Sequence, residues 1–203
     1  MRTFQLILLV MIPTFFLSQG VRIGKYQKRW SLWHPIAALR VKQLYNKANV
    51  VYKDSALKDS LDVYVNGGTR DAFRHAFFMA VFAQRISVKK IQTLGIAHEK
   101  DNYRDFLAGK QEFGERADSL ACEMDLLNNA LGLSVGHEMK NATLYELRNK
   151  ILQMIRKGEL WIMFRNSKGQ YLTCNGLVLD TNGYLHAWYV PKCIVRSNLH
   201  YKD

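Results

Sequence analysis

The chain reads as an α+β protein, mainly α, with about five helices and a small C-terminal antiparallel β-sheet. Three observations predict this class. Between Pro35 and Lys157, apolar residues recur at helical spacing. After Gly158 they fall into short runs separated by Lys168-Gly169 and Asn182-Gly183, dipeptides that mark tight hairpins. With 48% hydrophobic residues, 12% aromatic residues and 3 prolines, the 203-residue chain can bury a core and lacks a long disordered tract.

The elements follow in chain order. Residues 1–20 read as a signal peptide: Arg2 is a positive start, Phe4 to Leu17 is mostly apolar, and Ser18-Gln19-Gly20 supplies small residues for cleavage. The run is short for a bilayer span, which needs about 20 apolar residues, and an uncleaved anchor is the alternative. Residues 21 to 33 read as an irregular arm. Pro35 opens a helix reaching about Tyr52, since proline fits the first helical turn. Residues 55 to 64 form a short helix or turn. Asn66-Gly67-Gly68 breaks the chain, and Thr69 can cap a helix from Arg70 to about Ile86 that is apolar nearly all round, hence central. A third helix covers Val88 to about Lys100, and Asp101 to Gly114 reads as a polar loop. A fourth covers Glu115 to Leu131, with Leu120, Met124, Leu127 and Leu131 as its core stripe and Gly132 as its stop. A fifth runs from Thr143 to Lys157. Leu160–Phe164, Gln170–Cys174, Leu177–Leu179 and Leu185–Val190 read as strands. The domain plan is a leader (1–20), a helical domain carrying a polar site (21–158) and a β region packed on it (159–203).

A signal peptide implies a secreted or periplasmic protein, where disulfides persist. Cys122, Cys174 and Cys193 are an odd set. Cys174 and Cys193 could pair, and Cys122 reads as a small buried helix residue. The formal charge is +12, or +11 once Arg2 leaves with the leader. Such charge suits an anionic polymer or a membrane surface as partner, or solubility alone. No nucleic-acid-binding motif with interleaved aromatics occurs.

Three helical segments concentrate polar chemistry among large apolar residues: Asp71-Ala-Phe-Arg74-His75, Ala97-His98-Glu99 and Met124-Asp125-Leu-Leu-Asn128-Asn129. Buried unpaired, such groups are costly, so one shared site is the economical arrangement. Asp71 and His75 are one helical turn apart, which lets the carboxylate orient the imidazole. Asp118, Cys122, Asp125 and Asn129 share a stripe of residues that form helix poorly. Of the adjacent His98 and Glu99, Glu99 is assigned to the site, because His98 shares the face of Ile91 and Leu94. Asp71, His75, Glu99 and Asp125 are thus the catalytic candidates. Arg74, His98, Asn128 and Asn129 are the substrate-binding candidates. Asn128 lies off the stripe and could instead bond the Leu131-Gly132 turn. His75, Glu99 and Asp125 form a mixed nitrogen and oxygen set of the kind Zn or Mn accepts, so a divalent metal is one cofactor reading.

The combination of these three segments resembles a bacterial domain family of unknown function. Its members carry Asp-Ala-Phe-Arg-His-Ala, Ala-His-Glu and Met-Asp-x-x-Asn-Asn-x-x-Gly helices and occur in exported and toxin-like proteins. The match spans about Asn66 to Gly136. The resemblance implies that Asp71, Arg74, His75, His98, Glu99, Asp125, Asn128 and Asn129 cluster, and it brings no known reaction. Two functions follow. One is an enzyme, a hydrolase, working through that cluster. The other is a binding or structural module in which the cluster fixes helix packing.

Overall fold

The computed structural model describes residues 23–111 and 114–199; the leader expected over residues 1–20 therefore lies outside the described residues. Within them the chain is mainly helical, with seven helices rather than about five: α1 (Lys25–Trp33), α2 (Pro35–Tyr52), α3 (Ser55–Lys58), α4 (Thr69–Ala83), α5 (Val88–Leu107), α6 (Ser119–Glu138) and α7 (Leu144–Arg156). A two-stranded antiparallel sheet pairs β1 (Trp161–Met163) with β2 (Ile194–Arg196).

Helix α4 is central and packs on α2, α5, α6, α7 and β1. Every residue from Asp71 to Ala83 except Arg74 is buried. Phe73 and Phe77 are fully enclosed, and burial of each stabilises the fold by roughly 1.5–3 kcal/mol.

The extra helices have local causes. Residues expected as an arm form α1, because Asp101 supplies a cap from 75 residues away. Its Oδ1 accepts from Tyr26 N–H and its Oδ2 from Gln27 N–H, both at 3.0 Å. Trp30 then docks α1 on α5 by donating Nε1–H to Thr93 Oγ1 (3.0 Å) and Lys90 O (3.1 Å). Helix α5 runs on to Leu107, through part of the predicted loop, because Asp101 is buried in that contact. Helix α6 begins at Ser119, where the Asp118 carboxylate caps Leu120 and Ala121 N–H.

Gly132 does not end α6, which continues to Glu138. A Cβ on Gly132 would lie 2.1 Å from Ala76 O, and one on Gly136 2.1 Å from Ala80 O. The two glycines let the α6 backbone touch that of α4. The expected Leu stripe is only partly inside: Met124 is fully buried, whereas Leu127 is 36% exposed. The opposite polar stripe, Cys122–Asp125–Asn129, is the buried one.

The C-terminal strands are fewer than expected. Gln170–Cys174 and Leu177–Leu179 contribute only isolated bridges, Arg165 with Tyr171 and Leu172 with Val178. Asn182-Gly183 sits in a 3₁₀ turn rather than a hairpin, and Leu185–Val190 forms no strand. The partner of β1 is instead Ile194–Arg196, next to the Cys174–Cys193 disulfide. Cys122 is the buried free thiol.

Candidate functional site

Helix α4 starts after the Asn66-Gly67-Gly68 break. Gly67 has φ +71°, in the left-handed region that favours glycine. A Cβ there would also press on Met163 Cγ, 2.7 Å away. This turn aims Gly67 N–H at Asp71 Oδ2, 2.7 Å off. Asp71 Oδ1 accepts from Arg74 Nε (3.1 Å) and Nη2 (2.6 Å). The β region holds the turn from behind: Met163 N–H donates to Gly67 O at 2.7 Å and Arg165 Nη2 to Asn66 O at 3.1 Å.

His75, one turn after Asp71, is the hub. Its Nδ1 lies 3.1 Å from Asn129 Oδ1 on α6. Its Nε2 lies 3.2 Å from Asp125 Oδ1, 3.6 Å from Asp71 Oδ1 and 3.2 Å from Arg74 Nη2. With the ring proton on Nδ1, bonded to Asn129, the Nε2 lone pair accepts from Arg74, and a proton arriving at Nε2 meets Asp125. The His98 ring on α5 stands 6.1 Å from that of His75, centre to centre.

Asp71, His75, Asp125 and Asn129 are all buried. Arg74 keeps 29% of its side chain exposed and His98 is half-buried. The open side of the cluster is therefore Arg74 and His98.

Electrostatics follow from burial. Desolvation, reinforced by the Arg74 charge, pushes His75 down to about 3 and His98 down to about 4, so both rings are neutral at pH 7. Burial pushes Asp71 up, but Arg74, His75 and the Gly67 N–H outweigh it and hold the carboxyl below its usual range. Glu99 goes the other way. Desolvation raises it to about 7, against the opposing pull of Cys122, Asn102 and Arg74. Asn102 Nδ2 donates to its Oε2 at 2.8 Å, and no described residue offers Oε1 a hydrogen bond of ordinary geometry. The site thus contains a carboxyl that titrates near neutrality.

The structure brings together Asp71, Arg74, His75, Asp125 and Asn129. It sets His98 and Glu99 beside them, close enough for Arg74 and Asp71 to act on both. The choice between His98 and Glu99 dissolves, because both border the cluster. Asn128 is used elsewhere. Its Nδ2 donates to Trp161 O (2.9 Å) and its Oδ1 accepts from Trp161 N–H (3.0 Å), which ties α6 to β1 instead of the Leu131-Gly132 turn. Sequence reasoning missed Gly67 as a donor to Asp71, although a paired glycine before a buried acid is a readable signal.

Asp71, His75 and Asp125 each offer a ligand atom within 4.8 Å of the others, whereas Glu99 is not in that set. The spacing would suit a divalent ion. Arg74 Nη2 also lies close to two of these groups, 2.6 Å from Asp71 Oδ1 and 3.2 Å from His75 Nε2.

Fold and site together define a helical domain built around a buried Asp/His/Asp group. The family described as Domain of unknown function (DUF6973) matches residues 28–159, and the chain belongs to it. Among curated proteins and among solved structures there is no significant match.

Proposed function

We propose that the cluster is the active site of a hydrolase acting on an anionic substrate, exported by the leader at residues 1–20. The observation that carries this reading is the setting of His75: Asn129 fixes Nδ1, Arg74 and Asp125 face Nε2, and Asn129 and Asp125 come from a helix some fifty residues away in sequence. His75, lowered to about 3, is a weak base at rest, and Asp125 at Nε2 is the carboxylate that would steady the imidazolium it becomes.

The substrate enters over Arg74 and His98, the least buried members, and its anionic group pairs with the guanidinium. His75 Nε2 takes a proton from water as the water oxygen bonds to the scissile centre. Glu99, half-protonated near pH 7, gives its proton to the leaving group. Asp71 holds Arg74 in place. The Cys174–Cys193 disulfide supports an oxidising compartment.

The rival reading, a module whose polar cluster only fixes helix packing, draws on the burial of Asp71 and His75, 3% and 7% exposed. The two readings separate on purified protein offered phosphodiester, ester and peptide substrates. Turnover that falls about 100-fold in His75→Asn and Asp125→Asn, with melting temperatures near wild type, supports the active site. Unfolding of both variants, or wild-type turnover in them, overturns it.

A further inference from the structure

Basic and acidic residues are unevenly placed along the chain. Residues 1–53 hold nine of the 29 Lys and Arg and none of the 17 Asp and Glu; the remainder is close to balance, 20 against 17. The first acid is Asp54. Most of the net charge therefore sits on α1, α2 and the segment before them.

The same two helices carry four exposed large apolar side chains where α1 turns into α2. Leu32 is 77% exposed and Trp33 72%, at the end of α1; Ile36 is 70% and Leu39 53%, in the first turns of α2. Single exposed apolar residues are ordinary, but four within eight positions at one turn are a patch. Helical phase sets cations beside them. Lys25, Lys28 and Arg29 are exposed and precede Leu32 at i−7, i−4 and i−3 on α1. Arg40, exposed, follows Ile36 at i+4 on α2.

The corner is also rigid. Trp30, next to the patch, is buried and anchored to α5 by its indole hydrogen bonds to Lys90 O and Thr93. Pro35 fixes the turn into α2.

We infer that this corner is a docking surface for an anionic lipid bilayer. Leu32, Trp33, Ile36 and Leu39 enter the headgroup boundary, and Lys28, Arg29 and their neighbours meet the lipid phosphates. Two features select lipid. The apolar residues are aliphatic plus one tryptophan, the composition that partitions into an interface. Cations without acids complement an anionic surface and act over a Debye length. A nucleic acid would use the charge and leave the aliphatic side chains in water. None of this depends on the hydrolase reading.

The test is sedimentation of the full chain with phosphatidylcholine vesicles, with and without about one-third phosphatidylglycerol, at low and high salt. The comparison is a variant carrying Leu32→Ser, Trp33→Ser, Ile36→Ser and Leu39→Ser. These positions are exposed, so its melting temperature should match wild type. Binding is expected only with the anionic lipid, to fall with salt, and to drop at least about ten-fold in the variant. Bromine-labelled lipid should quench wild-type fluorescence, and most of that quenching should vanish in Trp33→Phe. Equal binding by wild type and variant, equal binding to neutral vesicles, or quenching unaffected by Trp33→Phe overturns the inference. So does salt-sensitive binding to RNA with none to vesicles.

Discussion

Along one pair of helices, α4 and α6, the contact changes character within two turns. At the later half, Gly132 meets Ala76 and Gly136 meets Ala80, backbone against backbone, with no room for a methyl group. At the earlier half, His75 meets Asn129 and Asp125 through polar atoms at 3.1–3.2 Å. The numbering climbs together on both helices, so they run parallel. The close half brings the chains near enough to exclude water, and the polar half then sits in a dry setting that shifts His75 and its neighbours Asp71, His98 and Glu99. Tight packing is what makes the polar end chemically unusual.

The largest way to break this comparison is at the glycines. Gly132→Val should cost more than about 4 kcal/mol in urea denaturation, because its side chain must displace the Ala76 backbone. Asp71→Ala comes next, at roughly 3 kcal/mol, since it leaves the Arg74 guanidinium and the Gly67 N–H without their acceptor. A comparable loss in Asp71→Asn would place the cost in the charge pair rather than in the Gly67 bond. Asn128→Ala should lose about 1–3 kcal/mol by removing both bonds to Trp161, while leaving turnover unchanged. Asp125→Asn should move stability by less than about 1 kcal/mol but cut turnover about 100-fold, as expected where structure is held for chemistry rather than for packing.

The subtlest test sharpens the contrast through pH. His75 and His98, lowered to about 3 and about 4, bind protons more readily in the unfolded chain, so their contribution is lost as pH falls below 6.5. Glu99, raised to about 7, binds its proton more readily in the folded chain. Its effect has the opposite sign: stability is lost as pH rises from 4.5 through 7. Glu99→Gln, which mimics the protonated carboxyl, should therefore gain stability relative to wild type between pH 5 and pH 8. A constant difference across that range, measured by denaturation at both ends, would put Glu99 in water rather than in the site.

Much of this was readable before any coordinates. The Asp71–His75 and Asp125–Asn129 pairings follow from helical phase, and both pairs meet at one place. The central position of α4 follows from its apolar circumference. What escaped was whatever depends on partners distant in sequence. Gly132 looks like a helix stop because nothing local shows that Ala76 lies against it. Residues 25–33 look irregular because their cap, Asp101, is 75 residues on. Four strands were expected, and the described residues form one antiparallel pair with two isolated bridges, held to the helices by bonds such as those of Asn128 to Trp161.

The sequence by itself determined which residues are candidates, since spacing along a helix decides what shares a face and composition decides what is costly to bury. Only the tertiary structure decided how those residues stand to one another. Arg74 bonds both Asp71 and His75, Asn128 is claimed by Trp161, and Glu99 is shifted toward neutrality. The physical reason is that distance and desolvation between separate helices are set by packing, and no local pattern encodes how closely two backbones approach.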